Sequence, residues 1–242
     1  MRLSIILLLI FNSFSAYAGE SSDSSRTRLK ISGNVSLNSN GMASIPSFSL
    51  GKPALIASLN LGWGRFSYDP VVAYGLNMRP WVIDNWVHYR IIYRPKFELR
   101  TGVNFSMFFS KFEAEEYTVL QGQQYLTFEI AGIYKFSPLS SFSLMYWSDN
   151  GQDPGTVDGH FINSVYERND IEIGKKLLFS TNIQLFYIGY TGNEDGLFIC
   201  PKTAFAIKKV PVSLFFVFTQ AITSNIEPWP GFRWNVGAAY LF

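Results

Sequence analysis

Apolar and polar residues alternate with a period of two from Asn85 to Phe109. Val87, Tyr89, Ile91 and Tyr93, then Phe97, Leu99, Thr101, Val103, Phe105 and Met107, fall on one face. His88, Arg90, Arg94, Glu98, Arg100, Gly102, Asn104 and Ser106 fall on the other, with Trp86 and Ile92 as apolar exceptions. That period belongs to a strand, not to a helix. Arg94-Pro95-Lys96 interrupts it, and a proline, with fixed φ and no N–H, supplies a turn there. A three-residue loop would pair Tyr93 with Phe97, Ile91 with Leu99, Tyr89 with Thr101 and Val87 with Val103, which keeps the apolar faces together. The segment predicts a hairpin. Each strand runs to roughly ten residues, what a tilted strand needs to cross a bilayer and more than the ~5–6 usual in soluble sheets. The apolar face therefore predicts contact with lipid, and the polar face a lumen.

The same rhythm covers the chain from Arg28 to Phe242. Leu29, Ile31, Gly33, Val35 and Leu37 alternate with Lys30, Ser32, Asn34, Ser36 and Asn38; similar rows follow to Phe232, Trp234, Val236, Ala238, Tyr240 and Phe242. Short turns are expected near residues 64, 95, 138, 176 and 210, and mostly longer loops near 46, 81, 116, 153, 194 and 227. Glu113, Glu115 and Glu116 mark an acidic loop, and Ser148–Gly159 a long one. This gives an all-β, closed antiparallel transmembrane barrel of about twelve strands, with short periplasmic turns and longer exterior loops. The count falls to ten if Phe66–Asn77, interrupted at Asp69-Pro70, fails as a strand; a bulge or bend is expected there. No helix-period segment occurs after the N-terminus.

The N-terminus reads as a cleaved signal peptide, residues 1–18: Arg2, an apolar core Ile5–Phe11, and Ala16-Tyr17-Ala18 before Gly19. Residues 19–27 form a polar, Ser-rich leader, expected to be flexible, and 28–242 the barrel. Composition agrees with export to a membrane. The 242 residues are 48% hydrophobic and 17% aromatic, with a mean hydropathy of +0.10, yet no later apolar run approaches the roughly 18 residues of a spanning helix. A net charge of +2 gives no basis for a nucleic-acid partner. Cys200, the single cysteine, has no partner for a disulfide within the chain and reads as a small buried hydrophobe.

The last strand, FRWNVGAAYLF, resembles the C-terminal strand of bacterial outer-membrane barrels, which ends in an aromatic residue read by the barrel-insertion machinery. With ISGNVSLNSNG and LGKPALIASLNLG, the chain resembles small bacterial outer-membrane β-barrel proteins of the Bacteroidota type. The resemblance implies an outer-membrane location, lipid as the surrounding partner, and insertion through the strand ending in Phe242. It carries no catalytic motif.

The alternation assigns His88, Arg90, Glu98, Arg100, Glu129, Asp170, Glu172, Lys202 and Arg233 to the lumen, with Trp86, Phe186 and Phe215 as inward aromatics. Arg90 falls opposite Arg100, a repulsive pair unless acids flank it; Glu98 and Glu129 are the acids within reach. Such a set either fills and stiffens a narrow barrel as a neutralised network or forms a weakly charged constriction for small anions or sugars. Function is thus a narrow passive pore for small solutes or a structural envelope barrel, or a plugged barrel serving as scaffold or adhesin. A further alternative is a surface hydrolase. Asp158-Gly159-His160, with Asp149 and Asp153 nearby, resembles the Asp-x-His of omptin-like outer-membrane proteases over that tripeptide alone, and a turn-rich loop explains the same residues. There is no G-x-S-x-G or H-E-x-x-H, no Gly-rich phosphate cradle, and with His88 and His160 as the two histidines no multi-His metal site. No enzyme activity and no cofactor are expected. Lys175-Lys176 and Lys208-Lys209 fall at short turns, where cations suit phospholipid headgroups or plain solubility, with solubility favoured.

Overall fold

A computed structural model describes residues 28–42, 45, 49–114, 117–227 and 229–242. The expected signal peptide and leader, part of the first loop, and Glu115 and Glu116 of the acidic segment lie outside the described residues. Twelve strands follow one another: β1 Lys30–Asn38, β2 Ala54–Trp63, β3 Phe66–Gly75, β4 Pro80–Tyr93, β5 Phe97–Ala114, β6 Tyr117–Ser137, β7 Ser140–Gly151, β8 Gly159–Ile173, β9 Leu177–Tyr190, β10 Asp195–Ile207, β11 Val212–Ser224 and β12 Phe232–Leu241. Each pairs antiparallel with its sequence neighbours, and β1 closes on β12 through Val35↔Tyr240 and Leu37↔Ala238. Phe242 and Gly33 exchange backbone hydrogen bonds of 2.9 and 3.0 Å at the seam. Closure leaves no sheet edge in the wall, the condition for strands to cross hydrocarbon. Among the described residues there is no helix.

The faces follow the alternation. Val87, Ile91, Val103, Phe105 and Val236 are exposed on the outside, while Trp86, His88, Asn104 and Glu129 are buried on the inside. A soluble sheet would show the reverse. The hairpin register holds from Val87↔Val103 through Tyr89↔Thr101 to Arg90↔Arg100, but not beyond. Arg94 and Phe97 bond to each other across a two-residue turn, and the one-residue surplus is absorbed at Ile91 as a bulge, so Ile92, not Ile91, meets Leu99 and Tyr93 meets Glu98.

The twelve-strand count holds, and three local expectations are corrected. β3 is a full strand, so the count is twelve; Asp69-Pro70 leaves a gap in the ladder to β2 but pairs in register with Trp86 and Asn85 of β4, and the bulge lies between Ala73 and Tyr74 instead. Residues 110–114 extend β5 where a loop was expected. β5 and β6 continue as a ladder to Ala114↔Tyr117, beyond the ends of β4 and β7. The Ser148–Gly159 loop shrinks likewise, since β7 runs to Gly151 and β8 starts at Gly159.

Candidate functional site

The inner wall divides into a charged sector and an apolar one. In the charged sector His88 of β4, Gly102 of β5 and Glu129 of β6 lie in one row across the sheet. Glycine is required at the middle of that row, because a Cβ there would stand 2.5 Å from His88 Cδ2. His88 Nδ1 meets Asp69 Oδ2 at 2.6 Å, and Nε2 approaches Glu129 Oε1 at 3.5 Å. Asp69 is also bonded by Ser67 Oγ at 2.7 Å and by Asn60 Nδ2. Glu129 accepts from Arg100 Nε at 2.8 Å and from Trp147 Nε1 at 2.8 Å. Trp86 stacks flat on His88, with centroids 5.2 Å apart, and tilts against Trp147. The Arg90–Arg100 juxtaposition is relieved on both sides, since Arg90 Nε lies 3.4 Å from Glu98 Oε1 while Arg100 turns to Glu129. Buried Glu98 and Glu129, each met by an arginine and Glu129 also by the Trp147 indole, form a connected network and not a set of free charges.

In the apolar sector Trp147, Phe161, Phe186 and Phe198 form a run of ring contacts from β7 to β10, with centroids 4.8, 5.5 and 5.1 Å apart. Phe186 and Phe198 are almost fully buried, as are Ile188 and Cys200. Met42 and Ile45 from the β1–β2 loop and Ile226 from the β11–β12 loop pack on this cluster from above. The β1–β2 loop is tied down at its stem: Asn235 Oδ1 accepts from Asn40 N at 3.1 Å, and Asn235 Nδ2 donates to Asn38 Oδ1 at 2.8 Å.

Beside the cluster, against β1 and β9–β12, runs a cavity of about 330 Å³ with a mixed lining: Asn34, Ser36, Gln184, Lys202, Ser213 and Asn235 supply polar groups, and Ile56, Cys200, Phe215 and Val217 are among its apolar side chains. Lys202 Nζ lies 5.0 Å over the Phe215 ring. Arg233 follows Asn235's phase at the loop end of β12 and is exposed. Glu172 sits near the opposite end, where its carboxylate meets Lys208 Nζ at 2.6 Å. Asp170 falls in the bulge between Arg168 and Ile171 with φ 51°, so the alternation that placed it inward does not hold there.

Of the residues suggesting hydrolysis, Asp149, Asp153 and Asp158 share the surroundings of Tyr125, while the histidine is engaged elsewhere. His160 is on the exterior face, its Nδ1 2.8 Å from Tyr146 Oη. Asp158 accepts from Gly151 N, Asp153 from Gln124 N, and Asp149 from Thr127 Oγ1. These carboxylates fasten turns and strand ends. Among the described residues no group of three His, Cys, Asp or Glu side chains could hold a metal ion.

Sequence reasoning overlooked Asp69, Trp147 and the Asn38–Asn235 pair. Asp69 was hidden by reading Asp-Pro as a break; its place two residues after Ser67, in the polar phase of β3, is the signal that assigns it inward.

No family model matches the chain, and no curated protein matches it. Solved structures do match in fold. The chain is similar to the KdgM porin at a TM-score of 0.58 and 11% identity, covering 87% of this chain and 99% of that one. It is similar to the NanC porin at 0.54 and 9%, covering 86% and 98%. A third likeness, at 0.52 and 8%, is to an outer-membrane channel of Pseudomonas putida F1, covering 92% of this chain and all of that one, 100%. The KdgM porin has also been solved in complex with disordered oligogalacturonate, and that structure matches at 0.56 and 11%, covering 88% and 98%. The shared fold is that of an outer-membrane β-barrel.

Proposed function

We propose that this chain is an integral bacterial outer-membrane barrel, of the Bacteroidota type by sequence pattern, that passes small polar solutes passively. The observation carrying this reading is the cavity along β1 and β9–β12, whose amide, hydroxyl and ammonium groups suit a hydrated solute. The charged sector supports the wall, with Arg90 and Arg100 each held by a carboxylate partner. Small sugars and weakly anionic solutes fit such a lining, and the oligogalacturonate bound by the KdgM porin makes acidic sugars the first probes to try. Purified protein in a planar bilayer should show steady conductance. A charged thiol reagent should reduce it in Ser213→Cys and leave it unchanged in the exterior variant Val236→Cys, both built on Cys200→Ala. Silence at every voltage, or equal block through Val236→Cys, would overturn the reading.

A second reading, a barrel closed by its own loops and serving as a scaffold, is favoured by the packing of Met42, Ile45 and Ile226 against the cluster that contains Phe161, Phe186 and Phe198. It predicts no conductance in the parent protein and conductance once that packing is loosened.

A further inference from the structure

At the loop end of the barrel a groove of about 470 Å³ opens where β4 stops and β5 continues. Lys52, Arg79 and Lys111 ring it, and Trp81, Phe109 and Leu120 are among its apolar lining. The three cations come from separate segments: the β1–β2 loop, the β3–β4 connection and β5. All three are exposed, and among the described residues none is ion-paired. This contrasts with Arg90 and Arg100 in the lumen, which have carboxylate partners.

The height of the groove decides its surroundings. Phe109 stands twelve residues along β5 from Phe97 at the short-turn end. At a rise of about 3.3 Å per residue and a tilt near 40°, that is roughly 30 Å along the barrel axis, just past an apolar band of about 25 Å. Phe109 shares the alternation phase of Val103 and Phe105, both exposed on the outer wall, and Lys111 lies directly opposite Leu120 on the neighbouring strand. The groove thus joins the lipid-facing rows below it and places three positive charges at headgroup depth.

We propose that this groove holds a phosphate-bearing, acylated lipid of the outer leaflet, with phosphate against Lys52, Arg79 and Lys111 and an acyl chain along Phe109 and Phe105. Charge complementarity argues for the anionic headgroup. Continuity with the apolar wall argues for a lipid over a soluble anion, which would gain nothing from Phe109 and Leu120. The inference rests on membrane placement and not on conduction, because the groove lies outside the cavity assigned to solute.

The test is native mass spectrometry of the whole protein released from neutral phosphatidylcholine nanodiscs doped with bisphosphorylated lipid A, or with its phosphate-free counterpart. The parent should retain the phosphorylated lipid and not the other. Lys52→Gln/Arg79→Gln/Lys111→Gln should lose apparent affinity by on the order of a hundredfold, since each basic residue near an anionic surface contributes about fivefold. The control Lys175→Gln/Lys176→Gln, at the opposite end, should retain the lipid like the parent. Phe109→Ala should weaken retention with all three charges present. Unchanged retention in the triple variant, equal retention of the phosphate-free lipid, or displacement by an equal concentration of inorganic phosphate would each overturn the proposal. Conductance of the triple variant, expected to match the parent, tells failure here from failure of the pore reading.

Discussion

Arg100 and Glu129 meet on the inner wall, Nε to Oε1 at 2.8 Å, although they are not directly opposite: Arg100 faces Ala131 and Glu129 faces Gly102. The diagonal contact draws Arg100 away from Arg90 and leaves Glu129 able to accept from Trp147 as well. Glu129→Ala should therefore cost about 2–3 kcal/mol, below the ~3–5 of breaking a wholly buried pair because Arg100 stays partly exposed. Glu129→Gln, which still accepts from the indole, should cost less. In a pore the two partners act in opposite directions. Reversal potentials across a salt gradient should move toward anion preference in Glu129→Ala and toward cation preference in Arg100→Ala.

The space above Gly102 is what lets His88 reach toward Glu129. A side chain at this position collides with the imidazole, whose other nitrogen is held by Asp69 and whose face is held by Trp86. Gly102→Val should destabilise the barrel by about 1–3 kcal/mol through overpacking. In a His88→Ala background the same substitution should cost much less, because the colliding ring is gone. Urea unfolding in lipid vesicles measures both; additive costs would show that the glycine serves something other than the imidazole.

Depth along the outer wall sets a third expectation. Val103 lies near the middle of β5 and is exposed on the lipid face, whereas Phe66 stands next to the Gly64-Arg65 turn. Val103→Arg should cost about 2–4 kcal/mol and Phe66→Arg about 0–1, since a cation near the interface reaches water. Equal costs in the same unfolding assay would mean that Val103 does not sit in hydrocarbon.

Much of this architecture could be read before any coordinates. Alternation separates Val103 from Asn104 with no knowledge of neighbours, and the Arg90–Arg100 pairing follows from counting back from Pro95. What could not be read is where local irregularities cancel. A two-residue turn at Pro95-Lys96 plus a bulge at Ile91 yields the same pairing at Tyr89↔Thr101 as a three-residue loop with no bulge, so the faces alone do not tell them apart. Asp170 shows the opposite case, where a bulge defeats a phase count. The continuation of β5 and β6 to Ala114 and Tyr117 was masked by acidic residues that resemble a loop. Contacts between distant segments left no periodic trace either: Met42 and Ile226 read as ordinary loop residues until the fold sets them on Phe198 and its neighbours.

That last packing bears directly on whether solute can pass. Asn235 is almost fully buried and holds the stem of the β1–β2 loop through Asn40 and Asn38, while Met42 of the same loop rests on the aromatic cluster and also borders the cavity. Asn235→Ala removes three side-chain bonds at the stem, to Asn38, Ser39 and Asn40, and leaves the cluster intact; Phe186→Ala removes a ring at its centre and leaves the stem tied. Each hydrogen bond contributes about 0.5–1.5 kcal/mol, so Asn235→Ala should cost about 1.5–4.5 kcal/mol in total. Phe186→Ala should cost about 3–5 kcal/mol and leave a void beside the cavity. If the loop limits the passage, Asn235→Ala raises single-channel conductance more than Phe186→Ala despite its smaller effect on stability. If the rings limit it, the order reverses. Single-channel recording with unfolding measured on the same preparations decides between them, and unchanged conductance in both variants would place the narrowest point instead among Trp86, His88 and Glu129.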